Sequence, residues 1–334
     1  MNNRVAEIDA FLAQAGWSKA QQVPVAADFS TRRFTRLKRE NGTVSTAILM
    51  DADPDQKTAQ FVALGGLLRA LDLSAPEIYA EDRAAGLVLM EDFGDRNMGR
   101  MIDAGDDAKP LYRRAVNGLA HLHKHFDPGM AKNFDLPVYG GALLASQAEL
   151  FLDAWFPFAK NREATKEEAE AFRAACKQAL KGIESLPQTL MLRDFMPDNL
   201  MDLPGREGRR AVGLLDFQDG GIGPLPYDLA SLCEVVRRDL PVPLDEMIDC
   251  YCAQAAPKIG KEDLHRACRI LAAQRHIRIL GIIARRTRVT GNRDKLVYAP
   301  RIWEYLGELM RDEALGPLKA WIQAHVLLGL RPVA

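Results

Sequence analysis

At 334 residues, with 48% hydrophobic and 27% charged residues and a net charge of −1, the chain has the make-up of a globular enzyme with lobes of unequal size. The near-zero charge argues against general nucleic-acid binding, and no apolar run approaches membrane-spanning length. Glu7 and Asp9 sit inside the N-terminal apolar pattern, which argues against a secretion signal; the five cysteines lack framework spacing, so reduced thiols and a cytoplasmic location are expected.

Val5, Ile8, Phe11, Leu12 and Ala15 form a helical stripe, with Gly16 as its expected stop. Residues 34–38 and 44–50 read as the arms of a β-hairpin around the two-residue turn Asn41-Gly42. Asp53-Pro54 closes the second arm, 58–71 reads as a helix, and a strand over 86–90 runs into Glu91-Asp92-Phe93-Gly94. Antiparallel strands with one packed helix are therefore expected for residues 1–92.

Beyond Gly94, periodic apolar positions predict helices over 111–123, 143–156, 167–183, 226–238, 264–287 and 301–315. Short strands over 190–192 and 212–215 interrupt them. The expected class is α+β, with a small antiparallel β-rich N-lobe and a larger mainly α-helical C-lobe over residues 93–334. His121, His123 and His125 alternate along a helix, and residues two apart point away from each other, so packing is the expected role.

The chemistry lies in the two interrupting segments. Leu192-Arg193-Asp194-Phe195-Met196-Pro197-Asp198-Asn199 is followed by Leu214-Leu215-Asp216-Phe217-Gln218-Asp219. A carboxylate held near an attacking hydroxyl can accept its proton, the role expected of Asp194. Asn199 and Asp216 offer hard oxygens of the kind that hold Mg²⁺ against nucleotide phosphates. An isolated Asp would be a turn residue; the joint spacing favours an ATP-dependent kinase for a small molecule. Asp228, in Tyr227-Asp228-Leu229-Ala230-Ser231, is expected to reach back and orient Asp194, with a plain helix-end carboxylate as the alternative.

These motifs resemble the aminoglycoside phosphotransferase family of the protein-kinase-like fold. Within it the chain is most similar to the N-acetylmuramate/N-acetylglucosamine anomeric kinases of bacterial cell-wall recycling. The likeness rests on Ser30-Thr31-Arg32-Arg33-Phe34-Thr35-Arg36-Leu37, residues 192–201 and 215–232, and Gln274-Arg275-His276-Ile277-Arg278-Ile279-Leu280-Gly281. It implies ATP and Mg²⁺ as cofactors and an amino-sugar hydroxyl as acceptor. Aminoglycoside, choline or homoserine kinases, and a nucleotide-binding regulator without turnover, are the alternatives. No nucleic acid, membrane or obligate protein partner is implied.

Two departures stand out. Leu192 replaces the His usual two residues before the catalytic Asp, and Met50 takes the place of the strand Lys that neutralises nucleotide phosphates. Ser30, Arg32 and Arg33 lie where the resembled fold covers the phosphates, so guanidinium and hydroxyl contacts are the expected substitute; a solvated strand edge is the alternative. The resemblance further places adenine at the backbone of Glu91 and Phe93. It gives Arg193, beside the base, a supporting role and makes Arg275 and His276 the acceptor contacts. Against that last reading, Arg275, Arg278 and Arg285 also suit a solvated face opposite Ile277, Leu280, Ile283 and Ala284.

Overall fold

The computed structural model describes residues 2–25, 32–40, 44–53, 57–239 and 241–326. Ser30 and the turn Asn41-Gly42 lie outside the described residues. The chain forms two compact units, residues 1–106 with 197–220 and residues 107–196 with 221–334.

The first unit opens with α1 (Asn2–Gln14). Gly16, at φ +75°, ends it as expected: the Gly16 N–H bonds the Ala13 carbonyl and the Trp17 N–H reaches back to Leu12 at 2.7 Å. Next come β1 (Gln21–Val25), β2 (Arg33–Lys38), β3 (Thr46–Asp51), α2 (Thr58–Ala70), β4 (Ile78–Asp82), β5 (Leu87–Glu91) and α3 (Met98–Asp103). The strands form one antiparallel sheet in the order β1-β2-β3-β5-β4. Phe11, Leu12 and Trp17 pack with Leu37, Ala47, Leu49, Leu87 and Leu89, so α1 covers the sheet as well and the expectation of one packed helix is corrected.

The β2–β3 register departs from the expected two-residue turn. Such a turn would set Lys38 opposite Ser45, whereas Lys38 pairs with Thr46 and Leu37 with Ala47. A one-residue slip would move the apolar side chains of one arm to the other face, and burying Leu37, Ala47 and Leu49 together outweighs the local preference. β1 and β4 carried no sequence signal. They are edge strands with mostly exposed residues, so they show no apolar alternation.

The second unit starts with α4 (Ala108–His125) and α5 (Gly141–Ala148). The helix expected over 143–156 breaks here. A π-type turn over Phe151–Trp155 leads into α6 (Phe156–Lys160), and the Phe156 N–H bonds Phe151, five residues back. The wider turn brings Phe151, Trp155 and Phe156 inward together. α7 (Lys166–Ala179) and β6 (Gln188–Met191) follow.

The chain then re-enters the first unit for a 3₁₀ turn (Pro197–Asn199) and the hairpin β7 (Leu200–Asp202)–β8 (Val212–Leu214). It returns as β9 (Gly221–Pro224), which pairs with β6, then α8 (Pro226–Cys233), α9 (Leu244–Ala255), α10 (Lys261–Thr290), α11 (Ala299–Leu309) and α12 (Gly316–His325). α10 packs against α5, the π-type turn, α8, α9 and α11. Gln274, Arg275, His276 and Ile277 are consecutive and all buried, so this stretch is not the solvated face of an amphipathic helix. Gly281 is required there, since a Cβ would stand 2.5 Å from the Leu150 carbonyl oxygen. No described helix is long and apolar enough to cross a membrane.

Candidate active site

Asp194 belongs to the second unit and follows a strained turn. Arg193 sits at φ +71°, and the Asp194 N–H bonds the Leu192 carbonyl at 2.9 Å, the i→i+2 bond of a γ-turn. Such a conformation costs about 1–3 kcal/mol and persists only where its surroundings over-determine it. Here they do. The Asp228 carboxylate, on the first turn of α8, accepts the Leu192 N–H at 2.6 Å and the Arg193 N–H at 2.9 Å. Ser231 Oγ, nearly one turn later, donates to the Arg193 carbonyl at 3.3 Å, and Arg275 Nη1 of α10 donates to the same oxygen at 2.8 Å.

Arg275 also stands 3.5 Å from Asp194 Oδ1, with its guanidinium over the Tyr227 ring at 5.4 Å. Arg193 is buried, donates to the Tyr139 hydroxyl at 3.1 Å and lies over that ring at 5.1 Å. Burial pushes the Asp228 carboxyl up to about 7, against the downward pull of the two peptide donors and Arg275. The geometry connects Asp228 to Asp194 through the backbone that carries it, with no side-chain contact needed. His276 is completely buried, its Nε2 3.3 Å from Glu234, and burial lowers its pKa.

Asn199 and Asp216 belong to the first unit, at one end of the β7–β8 hairpin. The register Leu200↔Leu214 continues into a bond from the Leu215 N–H to the Asn199 carbonyl at 3.0 Å, so Asn199 lies across from the neighbour of Asp216. Asn97 Nδ2 ties down the adjoining Asp198 carbonyl at 2.7 Å. Asp216 has φ +58°, a left-handed conformation that Asp tolerates better than most residues. Its side chain is 47% exposed, accepts from Gln218 Nε2 at 2.8 Å, and lies 3.6 Å from Arg32 Nη1. Two hard oxygen ligands at one hairpin end, one of them an accessible carboxylate, fit Mg²⁺, which fills its remaining positions with phosphate and water.

The two arginines ahead of β2 have separate partners. Arg32 approaches Asp216, whereas Arg33 is 72% exposed and pairs with Asp51 at 2.8 Å, which Arg4 also binds. Met50 is buried in β3. The Glu91 N–H bonds the Glu77 carbonyl at 2.8 Å and its carboxylate receives Arg206. The Phe93 ring packs on β8 where only Gly213 fits, since a Cβ there would lie 2.7 Å from Phe93 Cδ2.

Several contributors escaped the sequence reading. Ser231 was visible only as part of a motif, and Tyr139 sits far from every motif. Arg36 clamps the 92–95 segment through Asp92 and Asp95, both at 2.8 Å. α2 meets the motif that follows Asp216 through Phe61, stacked on Phe217 at 5.0 Å, and through Lys57, 2.5 Å from Asp219. Long-range pairs of this kind leave no local pattern to read.

The family model described as the phosphotransferase enzyme family (APH) matches residues 21–261. The chain is 32% identical to an N-acetylmuramate/N-acetylglucosamine kinase of Caulobacter vibrioides over 97% of both proteins. It is 29% identical to one from Pseudomonas putida, over 92% of this chain and 91% of that protein. Among solved structures, a choline/ethanolamine kinase family protein from Mesorhizobium loti superimposes with a TM-score of 0.64 at 14% identity, over 96% of this chain and 99% of that one, a likeness of fold. The α+β fold is thus protein-kinase-like, and the chain is a member of the APH phosphotransferase enzyme family.

Proposed function

We propose that this protein transfers the γ-phosphoryl group of ATP to the anomeric hydroxyl of an N-acetylated amino sugar, N-acetylmuramate or N-acetylglucosamine. The observation that carries this reading is the over-determined turn ahead of Asp194, in a chain alignable almost end to end with kinases named for those sugars. Asp194 orients the acceptor hydroxyl and takes its proton. Asn199 and Asp216 would hold Mg²⁺, which when bound neutralises charge on the nucleotide phosphates. Arg32 adds positive charge beside Asp216, the contribution that Met50 cannot make. The backbone of Glu91 and Phe93 receives adenine. Residues 1–92 serve as the nucleotide lobe and 93–334 as the catalytic and acceptor lobe.

Transfer is direct, since the motif supplies a base and metal ligands but no Cys or His nucleophile. Asp194 has a guanidinium neighbour in Arg275, surroundings that suit a neutral or acidic acceptor better than a polycationic aminoglycoside or choline. All five cysteines are free thiols, in keeping with a reducing, cytoplasmic setting.

The test is ADP release with ATP, with and without Mg²⁺, across N-acetylmuramate, N-acetylglucosamine, kanamycin, choline and homoserine, with phosphorus NMR locating the new ester. An anomeric phosphate on an amino sugar is expected. Nucleotide binding without turnover of any acceptor would sink the proposal in favour of a regulator.

A further inference from the structure

The guanidinium of Arg278 is the unusual charge of the second unit. It sits one turn beyond Arg275 on α10, and residues three apart share a helix face. Arg275 is committed to the Arg193 carbonyl and Asp194, and Arg193 to Tyr139. Arg278 is half-buried and has no hydrogen bond or ion pair among the described residues. Burial lowers its pKa; the positive charges of Arg193 and Arg275 act in the same direction, against Tyr227 and Asp194. Arg275 thus stands beside the half-buried carboxylate of Asp194, and Arg278 follows it one turn along the same helix face. The other acid nearby, Asp228, is occupied with two peptide N–H groups. A half-buried guanidinium with no ion-pair partner is placed to take up an incoming anion in exchange for water.

We infer that Arg278 receives an anionic group of the acceptor, a carboxylate carried by the sugar, and thereby sets the preference between acidic and neutral amino sugars. This deepens the reaction proposed above and rests on it. Arg275, consumed by the Asp194 turn, then acts as a positioning residue, and the buried His276 is replaced by Arg278 as the acceptor contact. A guanidinium suits the task because its planar fork matches a carboxylate with two parallel bonds.

The experiment compares wild type, Arg278→Gln and Arg278→Lys for kcat/KM on N-acetylmuramate and on N-acetylglucosamine. Calorimetric binding of each sugar runs alongside. In Arg278→Gln the ratio of acid to neutral sugar should fall about tenfold or more, while Arg278→Lys, which keeps the charge but not the fork, should lower it less than Arg278→Gln does. An unchanged ratio overturns the inference. An equal loss on both sugars also does so, because the anion met by Arg278 would then be the transferring phosphoryl group. Should wild type turn over neither sugar, the proposed reaction fails and calorimetry alone decides Arg278. Selective weakening of N-acetylmuramate binding in Arg278→Gln then upholds it; parallel weakening, or no binding of the acid by wild type, overturns it.

Discussion

Two of the left-handed turns of this molecule, at Arg193 and at Asp216, are held in opposite ways. The turn before Asp194 is gripped by buried groups from two helices: Asp228 and Ser231 of α8 and Arg275 of α10. The turn at Asp216 has a half-exposed side chain whose named partners are Gln218 and Arg32. A base gains most from being immovable, since misplacement by about 1 Å can cost on the order of 10²-fold. A metal ligand gains from an accessible carboxylate that can exchange a guanidinium for an ion. The difference separates a carboxylate held for rigidity from one that can exchange its partners.

The largest effect should come from the rigid side. Asp194→Asn keeps the shape but removes proton acceptance, and kcat should fall about 10²–10⁴-fold with the fold intact by circular dichroism. Only a few-fold loss would mean that Asp194 is not the base.

Asp228→Asn tests the grip itself. An amide cannot accept both peptide N–H groups, so kcat should drop about 10²-fold while the KM for ATP changes little; the reverse pattern would remove the positioning role. Its pH behaviour has a definite sign. The folded value near 7 lies above the ordinary 3.8, so the folded protein holds this proton more tightly. The stability tied to that proton is complete below about 4 and is lost as pH rises through 7. The anion that accepts both bonds dominates above 7, so kcat should rise with pH there while thermal stability declines. Both trends should vanish in Asp228→Asn, and a wild-type kcat flat between pH 6 and 8 would refute the link.

On the exchangeable side, Arg32→Ala should raise the KM for ATP about 3–10-fold at little cost in stability. Arg33→Ala, whose partner is Asp51, should change it less, within the small range of exposed ion pairs. Equal effects on both would erase the distinction drawn between them.

The smallest effect concerns a polar group of the second unit. His123 is half-buried with Nδ1 2.8 Å from the Tyr251 hydroxyl, and desolvation lowers its pKa to about 3. The unfolded chain takes up this proton near 6.5 and the folded one does not. His123 therefore costs stability as pH falls from 6.5 toward 3. His123→Gln should flatten the acid dependence of the unfolding midpoint in that window; an unchanged slope would deny that desolvation governs it.

Periodic burial explains which elements were legible. α2, α4, α7 and α11 each bury one stripe, and their expected spans match to within a few residues at most ends. β1 and β4 bury almost nothing in alternation, and the break at Phe151–Trp155 begins next to Leu150, which lies against Gly281 more than a hundred residues away. Asp194, Asn199, Asp216 and Asp228 stood out in the sequence as candidates because the proposed chemistry demands those residue types at short spacing. Arg275 and Arg278 were not separable, since on a helix diagram both belong to one polar face.

The order and spacing of the acids and amides along the chain are properties of the sequence alone, because a loop between two short strands must carry its functional groups within a few residues. The assignment of each arginine came only with folding. Whether a guanidinium supports the backbone, balances Asp216 or waits for an anion depends on which distant surface it is buried against. That is settled by the packing of α10 and the sheet, where burial of whole faces outweighs any local preference.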